Sequence, residues 1–426
     1  MAEDYKPMWQ ELGLDIEKHD ALLEAVGQMY DENFLSQGNR PKGMEYFDFV
    51  VSEIHGLRIK ELVDARKEGR TVIGSFCVYV PEELILAIDG ISVGLCAGAE
   101  FAFDMAEGYV PRNTCSLIKS ALGFKLAKVC PYLESSDLVV GENTCDGKKK
   151  SHEHWQSIID NLYVMDLPQV KNDNGRKMLF EEYTRFAAKL EELSGKKIEA
   201  GKLKESITIV NNKRKAMNRI YALRNADPAP ISGLDALLIS QVFFYDDPVR
   251  FTDSVNAIAD ELEERIKNKQ GAVSAGTPRL IVTGCPMAVP NWKLPAIIEN
   301  SNAVVVGEEL CTGERGHEYL TDESSSSVDE LMENIVDRYM KIHCAVFTPN
   351  TERLEKIREM RNSYNADGVV LYNLQFCQPY QIESGLIVDD LKKSGIPVLQ
   401  IDTDYSQEDA GQLQTRVEAF VESMKG

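Results

Sequence analysis

The chain has 426 residues, of which 43% are hydrophobic and 27% charged, a composition typical of a folded globular protein long enough for two or three domains. Its formal net charge of −21 disfavours nucleic-acid binding, because phosphate contacts require clustered lysine and arginine. The amino-terminal segment has no basic start or apolar core, and the longest apolar stretch, residues 84–105, is broken by Asp89, Glu100 and several glycines. We therefore predict a cytoplasmic protein with no signal peptide and no membrane span.

The first part of the chain predicts helices followed by a parallel sheet. Residues 1–68 are charged and helix-patterned, and we assign them to a helical amino-terminal segment. Residues 69–168 predict a first α/β domain, with a strand over 71–79, a helix between Pro81 and Gly90, and a second strand over 91–96. A further helix over 115–127 and a strand over 136–142 continue this βαβ pattern.

A helical connector is predicted for residues 169–275. Apolar residues recur at helical spacing from Met178 to Leu193 and stop at Gly195. A second helix is expected from about Ser206 to Asn225, before the two prolines of PAPISG. Its basic triplet, residues 213–215, is interpreted as a helix surface.

Residues 276–426 predict a second α/β domain that repeats the order of the first. The strand RLIVTG precedes Cys285, and the strand AVVVGEE precedes Cys311. Cys77, Cys96 and Cys145 follow strands of the first domain in the same order as Cys285, Cys311 and Cys377 follow strands of the second, which favours a duplication. Ligands of open parallel sheets bind at the carboxyl ends of the strands, so the cysteines are expected to converge on a cleft between the domains.

The nine cysteines are the candidates for chemistry. None forms a CxxC pair, and cytoplasmic thiols are kept reduced, so ligands or buried free thiols are expected. Cys77, Cys96 and Cys130 lie inside apolar segments, and packing as small hydrophobic residues is a suitable role for them. This role suits less well Cys145, Cys285, Cys311 and Cys377, which turn-forming residues surround. These four, with Cys115 and Cys344, are the six that follow apolar, β-branched runs or lie in short loops. Thiolates of this kind bind iron-sulfur clusters.

Other motifs give weaker signals. GENTCDGKKK departs from the P-loop pattern, and no GxGxxG follows the first strand, so neither ATP nor a dinucleotide is indicated. His152 and His154 are expected in a solvated loop. His317 and Glu318 follow Cys311 closely and are candidate catalytic proton donors.

Three segments, FCVYVPEELILA, NNKRKAMNRIYALRNADPAPISGLD and FCQPY, resemble the 2-hydroxyacyl-CoA dehydratase and benzoyl-CoA reductase D-subunit family. The resemblance covers nearly the whole chain. It implies two flavodoxin-like or Rossmann-like α/β domains with helical additions and an iron-sulfur cluster in the interdomain cleft. By the family pattern, Cys115, Cys145 and Cys377 hold a 4Fe-4S cluster. The further cysteines Cys285, Cys311 and Cys344 make the chain most similar to the double-cubane proteins, which carry an 8Fe-9S cluster.

The resemblance also implies an activity. We expect an anaerobic, ATP-dependent reductase component, a homodimer that receives low-potential electrons from a separate activator ATPase with its own 4Fe-4S cluster and reduces a small molecule. The alternative is the iron-sulfur subunit of a 2-hydroxyacyl-CoA dehydratase, in which one 4Fe-4S cluster serves ketyl-radical dehydration. A carrier that stores or inserts clusters is a third, non-catalytic possibility. Cys77 and Cys96 stay open as ligands of a second cubane.

Overall fold

The computed structural model describes residues 4–424 and is an α/β protein with two four-stranded sheets. All neighbouring strands are parallel, and the two sheets have the same order, β2-β1-β3-β4 and β6-β5-β7-β8. The first sheet consists of β1 (Val72–Ser75), β2 (Ile91–Gly94), β3 (Leu138–Asn143) and β4 (Leu162–Asp166). The second consists of β5 (Arg279–Gly284), β6 (Val304–Glu309), β7 (Gly368–Leu374) and β8 (Val398–Thr403). The identical strand order supports the predicted duplication.

Helices precede the first sheet and surround both sheets. The amino-terminal segment contains α1 (Lys6–Glu11), α2 (Ile16–Tyr30) with a π-helical turn (Asp31–Leu35), α3 (Met44–Ser52) and α4 (Leu57–Lys67). The first half contains α5 (Glu82–Ala87), α6 (Phe103–Ala106), α7 (Ser116–Leu126), α8 (Pro131–Ser135) and α9 (Asp146–Trp155). Strands β5, β6 and β7 are buried along their whole length, as expected for parallel strands covered on both faces.

Four helices connect the two sheets. They are α10 (Asp173–Ser194), α11 (Ala200–Leu223), α12 (Gly233–Val242) and α13 (Pro248–Lys267). α10 ends where predicted, at Gly195, whose φ of +69° is the left-handed conformation favoured at helix ends. The second half adds α14 (Lys293–Asn300), α15 (Glu314–His317), α16 (Val328–Met340), α17 (Thr351–Ser363), α18 (Gln378–Lys393) and α19 (Ala410–Ser423).

Three local predictions are wrong. The strand predicted over 71–79 ends at Ser75, and Cys77 lies in the following turn. His152 and His154 lie in α9 rather than in a solvated loop, because His152 and Trp155 form its buried face. Lys213 and Arg214 are buried rather than on a helix surface, since each pairs with a carboxylate of α5.

Buried charges on α11 fasten the two halves to each other. Arg214 contacts Glu83 of α5 at 2.7 Å, and Arg224, just after α11, contacts Glu308 of β6 at 2.6 Å. All four side chains are at most 3% exposed. Breaking a pair of this kind costs about 3–5 kcal/mol, so α11 fixes the position of one sheet relative to the other.

None of the helices within residues 4–424 is long and apolar enough to cross a membrane.

Candidate functional site

A cavity of about 890 Å³ lies at the carboxyl ends of strands from both sheets. Eight of the nine cysteines line it: Cys77, Cys96, Cys115, Cys145, Cys285, Cys311, Cys344 and Cys377. The structure therefore brings together all six predicted ligands. It also brings Cys77 and Cys96 to the cavity wall. Whether these two are ligands or ordinary packing residues, which the sequence leaves open, stays a prediction. Cys130 lies apart from the cavity, at the start of α8.

The eight cysteines form four matched pairs between the halves. Cys77 and Cys285 follow β1 and β5, Cys96 and Cys311 follow β2 and β6, and Cys145 and Cys377 follow β3 and β7. Cys115 and Cys344 lie in the segments between the second and third strands of their halves. Each half thus contributes four thiols from equivalent places.

Three of these thiols lie at the amino termini of helices. Cys115, Cys145 and Cys377 are the residues immediately before α7, α9 and α18. The partial positive charge of a helix start favours the thiolate form, which is the form that binds metal. These are the same three cysteines that the resemblance assigns to the 4Fe-4S cluster.

Cys377 lies between Cys115 and Cys285, within hydrogen-bonding reach of both. The contact with Cys377, together with burial, raises the pKa of the Cys115 thiol well above its ordinary value. Cys115 lowers the pKa of Cys377, but Cys285 and burial raise it by more. Three of the eight thiols are therefore grouped on one side of the cavity.

Cys285 is held at this place by the backbone. The N–H of Leu374 donates to its sulfur at 3.3 Å, and its own N–H donates to the Tyr372 carbonyl at 2.9 Å. The preceding residue, Gly284, has a φ of +143°, and a Cβ there would lie 1.8 Å from the Tyr372 carbonyl oxygen. Only glycine allows β5 to approach β7 this closely before Cys285.

Cys311 and Cys344 face a buried network of charged side chains. Arg315 of α15 donates to the Cys311 sulfur at 3.5 Å, and the hydroxyl of Tyr380 lies 3.7 Å from the Cys344 sulfur. Arg315 also donates to the Tyr380 hydroxyl. Burial raises the pKa of Cys311, and the positive charge of Arg315 opposes that rise.

Cys77 and Cys96 face a different charged pair. Lys148 of α9 contacts Glu142 of β3 at 2.7 Å, and Lys148 lines the cavity. The second carboxylate oxygen of Glu142 is buried without a hydrogen-bond partner. Burial raises the pKa of Cys77 well above its ordinary value and that of Cys96 to about 12, while Lys148 opposes both shifts. The Cys96 thiol donates to the Phe76 carbonyl at 3.0 Å.

The rest of the wall is mainly apolar, and its outer rim is exposed. Ile382 and Leu386, one turn apart on α18, are 73% and 67% exposed. Phe376, next to Cys377, is 40% exposed and has a φ of +65°. This left-handed conformation is uncommon for a bulky residue and is a form of backbone strain found at functional sites.

The predicted proton donors have other partners. His317 Nδ1 lies 2.7 Å from the Asn218 amide oxygen, and its ring packs on Tyr221. Burial, reinforced by nearby cations, lowers the His317 pKa to about 3, so the ring is neutral at physiological pH. Glu318 is paired with Lys356 at 2.5 Å, and neither His317 nor Glu318 is among the residues that line the cavity. Their proton-donating role stays a prediction that this placement does not favour.

The donor set of the cavity fits an iron-sulfur cluster. Within residues 4–424, no three His, Cys, Asp or Glu side chains are arranged to hold a single metal ion. Cluster ligands bind separate iron atoms and need not converge on one point, and soft thiolates are the ligands that iron and sulfide select. Thiols spread around one buried cavity meet both requirements.

Four residues near the thiols escaped sequence reasoning: Glu142, Lys148, Arg315 and Tyr380. Lys148 and Tyr380 share a detectable signal, since each lies three residues after a strand-end cysteine, one helical turn into α9 or α18. Arg315 has the matching relation to Cys311, four residues later. Recognising these positions requires the cysteines to be placed at strand ends first.

Comparisons with known proteins agree with this architecture. The chain is 36% identical to the Escherichia coli (strain K12) protein named "Putative dehydratase subunit YjiM", over 85% of this chain and 94% of that protein. It is 27% identical to the (R)-phenyllactyl-CoA dehydratase beta subunit of Clostridium sporogenes, over 84% of this chain and 92% of the relative. It is 24% identical to a benzoyl-CoA reductase subunit of Thauera aromatica, over 84% and 92% of the two chains.

The family match spans the connector, the second sheet and the strands of the first sheet that follow β1. Residues 77–424 match the family described as 2-hydroxyglutaryl-CoA dehydratase, D-component. This range contains all eight cysteines of the cavity. The chain belongs to the 2-hydroxyglutaryl-CoA dehydratase D-component family.

Proposed function

We propose that this protein is an ATP-dependent reductase component that holds a double-cubane 8Fe-9S cluster and reduces a small molecule. The observation that carries the proposal is the convergence of eight cysteines, four from each half, on one cavity between two matched sheets. A single 4Fe-4S cluster normally takes no more than four thiolates, so about half of this set would have no ligand role in it.

The proposed ligands are Cys115, Cys145, Cys377, Cys285, Cys311 and Cys344. Cys285, which the sequence groups with Cys311 and Cys344, lies beside Cys377 of the other triple. Cys96 is the least suitable of the eight, since its thiol donates to a backbone carbonyl and would lose that bond on ionisation. Cys77 stays a candidate in place of any one of the six.

The chain's own residues would hold the cluster, shield it and supply protons near it. A bound cluster of this type would supply low-potential electrons to the substrate. Apolar side chains, such as Val346, Phe347 and Leu354, would exclude water from that space. Lys148 and Tyr380 line the cavity and carry protons on nitrogen and oxygen, so we favour them over His317 and Glu318 as the nearest protic groups.

The electrons are proposed to come from a separate activator ATPase that carries its own 4Fe-4S cluster. The segment GENTCDGKKK supports this division of labour, because it forms the end of β3 and the start of α9 and its Lys148 is engaged with Glu142. That lysine is therefore not free to bind a nucleotide phosphate as a P-loop lysine does. A homodimer is the proposed assembly.

A small uncharged substrate suits the cavity better than a phosphorylated one. Lys148 is the single Lys or Arg among the described residues that line it, and its charge is balanced by Glu142. Binding several phosphate charges commonly draws on clustered arginine and lysine, which this lining does not offer. The substrate class is therefore proposed to be small and neutral.

A dehydratase subunit with one 4Fe-4S cluster is the second candidate. It is favoured by the names of two relatives, a dehydratase subunit from E. coli and a phenyllactyl-CoA dehydratase beta subunit. The contact of Cys115 with Cys377, and their places at helix starts beside Cys145, would suit such a site. Under this alternative, Cys311 and Cys344 would have no ligand role.

The deciding experiment measures iron and acid-labile sulfide per chain after anaerobic purification. We expect about eight irons and about nine sulfides per chain, with clear losses in Cys285→Ala, Cys311→Ala and Cys344→Ala. Cys130→Ala is the matched control and should keep the full content, because Cys130 lies outside the cavity. About four irons per chain, unchanged in Cys311→Ala and Cys344→Ala, would instead establish the dehydratase alternative.

A further inference from the structure

Two equivalent helices place a polar side chain at the same position in the cavity wall, and the two side chains differ in kind. Lys148 lies three residues after Cys145 on α9, and Tyr380 lies three residues after Cys377 on α18. Both line the cavity. The ammonium of Lys148 contacts a carboxylate, whereas the Tyr380 hydroxyl reaches a cysteine sulfur at 3.7 Å. The duplication therefore kept the position and changed its electrostatic role.

Tyr380 belongs to a rigid arrangement that includes Arg315. Both side chains are buried, at 6% and 2% exposure. Arg315 is fixed by Glu309, whose carboxylate it contacts at 2.7 and 2.8 Å and whose backbone carbonyl it contacts at 2.7 Å. Its remaining nitrogen, Nη1, donates to the Tyr380 hydroxyl and to the Cys311 sulfur. The guanidinium is thus held with one edge directed at the thiols.

A second guanidinium completes this arrangement. Arg353 contacts Glu309 at 2.9 Å and lies 4.8 Å from the centre of the Tyr380 ring. It also donates to the Thr283 hydroxyl at 3.0 Å. Arg315 and Arg353 both pair with Glu309. Since Arg353 also packs against the Tyr380 ring, the ring has little freedom to move away from Cys344.

The first half has no counterpart of this arrangement. Glu309 lies two residues before Cys311, and the residue two before Cys96 is Gly94. Arg315 lies four residues after Cys311, and the residue four after Cys96 is Glu100. A glycine and an acid at these positions cannot form the same cation-carboxylate pair.

We propose that Arg315 and Tyr380 are positioning residues that donate hydrogen bonds to the iron-bound sulfurs of Cys311 and Cys344 and make that side of the cluster the easier one to reduce. The inference rests on the proposed function. Each electron added to a cluster increases its negative charge, and hydrogen bonds to sulfur stabilise that charge. Because the bonds from these two side chains are confined to the second half, the two sides of the cluster differ in reduction potential.

The test is a redox titration of the iron-loaded protein, followed by electron paramagnetic resonance. Tyr380→Phe removes the hydroxyl and keeps the ring, and Arg315→Lys keeps the charge and removes the fork of donors. In each variant we expect the reduced-to-oxidised ratio at a fixed potential to fall about tenfold, which for one electron is a shift of about 59 mV to more negative potential. Tyr245→Phe is the matched control, because Tyr245 also lines the cavity but donates to the Cys96 carbonyl rather than to a sulfur.

Each outcome separates this inference from the proposed function. A negative shift in Tyr380→Phe and Arg315→Lys, with Tyr245→Phe unchanged, supports the inference. An unchanged potential in both variants, or an equal shift in the control, overturns it and leaves the cluster assignment intact. Loss of iron from both variants while the parent chain stays loaded would make the two residues structural and also overturn it. A parent chain without iron would overturn the proposed function itself.

Discussion

The two halves of the molecule have the same strand order and the same four cysteine positions, yet they surround those cysteines with different charges. The first half supplies Lys148 and Glu142, one cation balanced by one carboxylate. The second half places two guanidiniums, those of Arg315 and Arg353, on the single carboxylate of Glu309. Thiol positions follow from where parallel strands end, whereas the charges near them come from side chains that can change without altering the sheet.

The helices that follow the first strand of each half differ in the same way. In α5, Glu82 and Glu83 form ion pairs with Lys213 and Arg214 of the connector helix α11. In the equivalent helix α14, Glu299 instead accepts hydrogen bonds from the backbone N–H groups of Gly233 and Leu234, at the start of α12. Both halves are attached to the connector, one by opposite charges and the other by a carboxylate at a helix start.

The largest difference between the halves is expected when the central carboxylates are removed. Glu309→Ala would leave the buried cation Arg315 without a carboxylate and Arg353 with Glu383 alone, which should lower the free energy of unfolding by about 3–5 kcal/mol. Urea unfolding at pH 7 measures this loss. Glu333→Ala is the control, because the Arg176–Glu333 pair is exposed and long, at 3.6 Å, and should change stability by less than about 0.5 kcal/mol. A similar loss in both variants would show that the network does not stabilise the second half.

The ion pairs of Glu309 should also make the free energy of unfolding depend on pH. Burial alone would raise the pKa of Glu309, but Arg315 and Arg353 outweigh it and lower the pKa to about 2. A carboxyl with a depressed pKa stabilises the folded state fully above its ordinary value, near 4.5, and that contribution is lost as the pH falls through about 2. Acid unfolding of the parent chain should therefore be steeper below pH 4.5 than acid unfolding of Glu309→Ala.

A smaller loss is expected from the matching change in the first half. Glu142→Ala leaves Lys148 without its carboxylate, but the lysine borders the cavity and is 16% exposed, so water can solvate it. We expect a decrease in unfolding free energy of about 1–3 kcal/mol. The control is Glu153→Ala on the same helix, where the Lys150–Glu153 pair is 69% and 68% exposed. A loss as large as that of Glu309→Ala would contradict the electrostatic difference between the halves.

The smallest effect is expected at Glu299. Burial raises its pKa to about 7, against an ordinary value of 4.5. An acid with a raised pKa stabilises the fold fully below 4.5 and loses that contribution as the pH rises through 7. The free energy of unfolding of the parent chain should fall by about 1–2 kcal/mol between pH 5 and pH 8. This is less than the whole pKa shift would give, because the Glu299 side chain is only half-buried.

Glu299→Gln should remove this component of the pH dependence, since the amide oxygen still accepts the N–H of Gly233 but cannot ionise. Urea unfolding at the two pH values provides the measurement. Glu355→Gln, at an exposed position on α17, is the control and should keep the parent profile. An unchanged pH dependence in Glu299→Gln would mean that Glu299 does not titrate in this range.

The sequence predicted most of the elements that carry the site. The strands before Cys285, Cys311 and Cys145, the end of α10 at Gly195, and the repeated order of cysteines are local patterns that depend on few residues. Errors arose where burial came from distant contacts. Lys213 and Arg214 are residue types that usually lie at a protein surface. Here they are buried because they pair with carboxylates of α5, 131 residues earlier in the chain.

Sequence by itself determined the family, the α/β class and the position of each cysteine relative to a strand or helix, because hydrophobic periodicity and turn residues are local. Only the tertiary structure decided that Cys77 and Cys96 share the cavity, that Cys285 lies beside Cys377, and that Arg315 and Tyr380 face the sulfurs of Cys311 and Cys344. Apart from the contact of Arg315 with Cys311, which spans four residues, these contacts join segments far apart in the chain. Their geometry depends on how two sheets and a helical connector pack together, which no local pattern specifies.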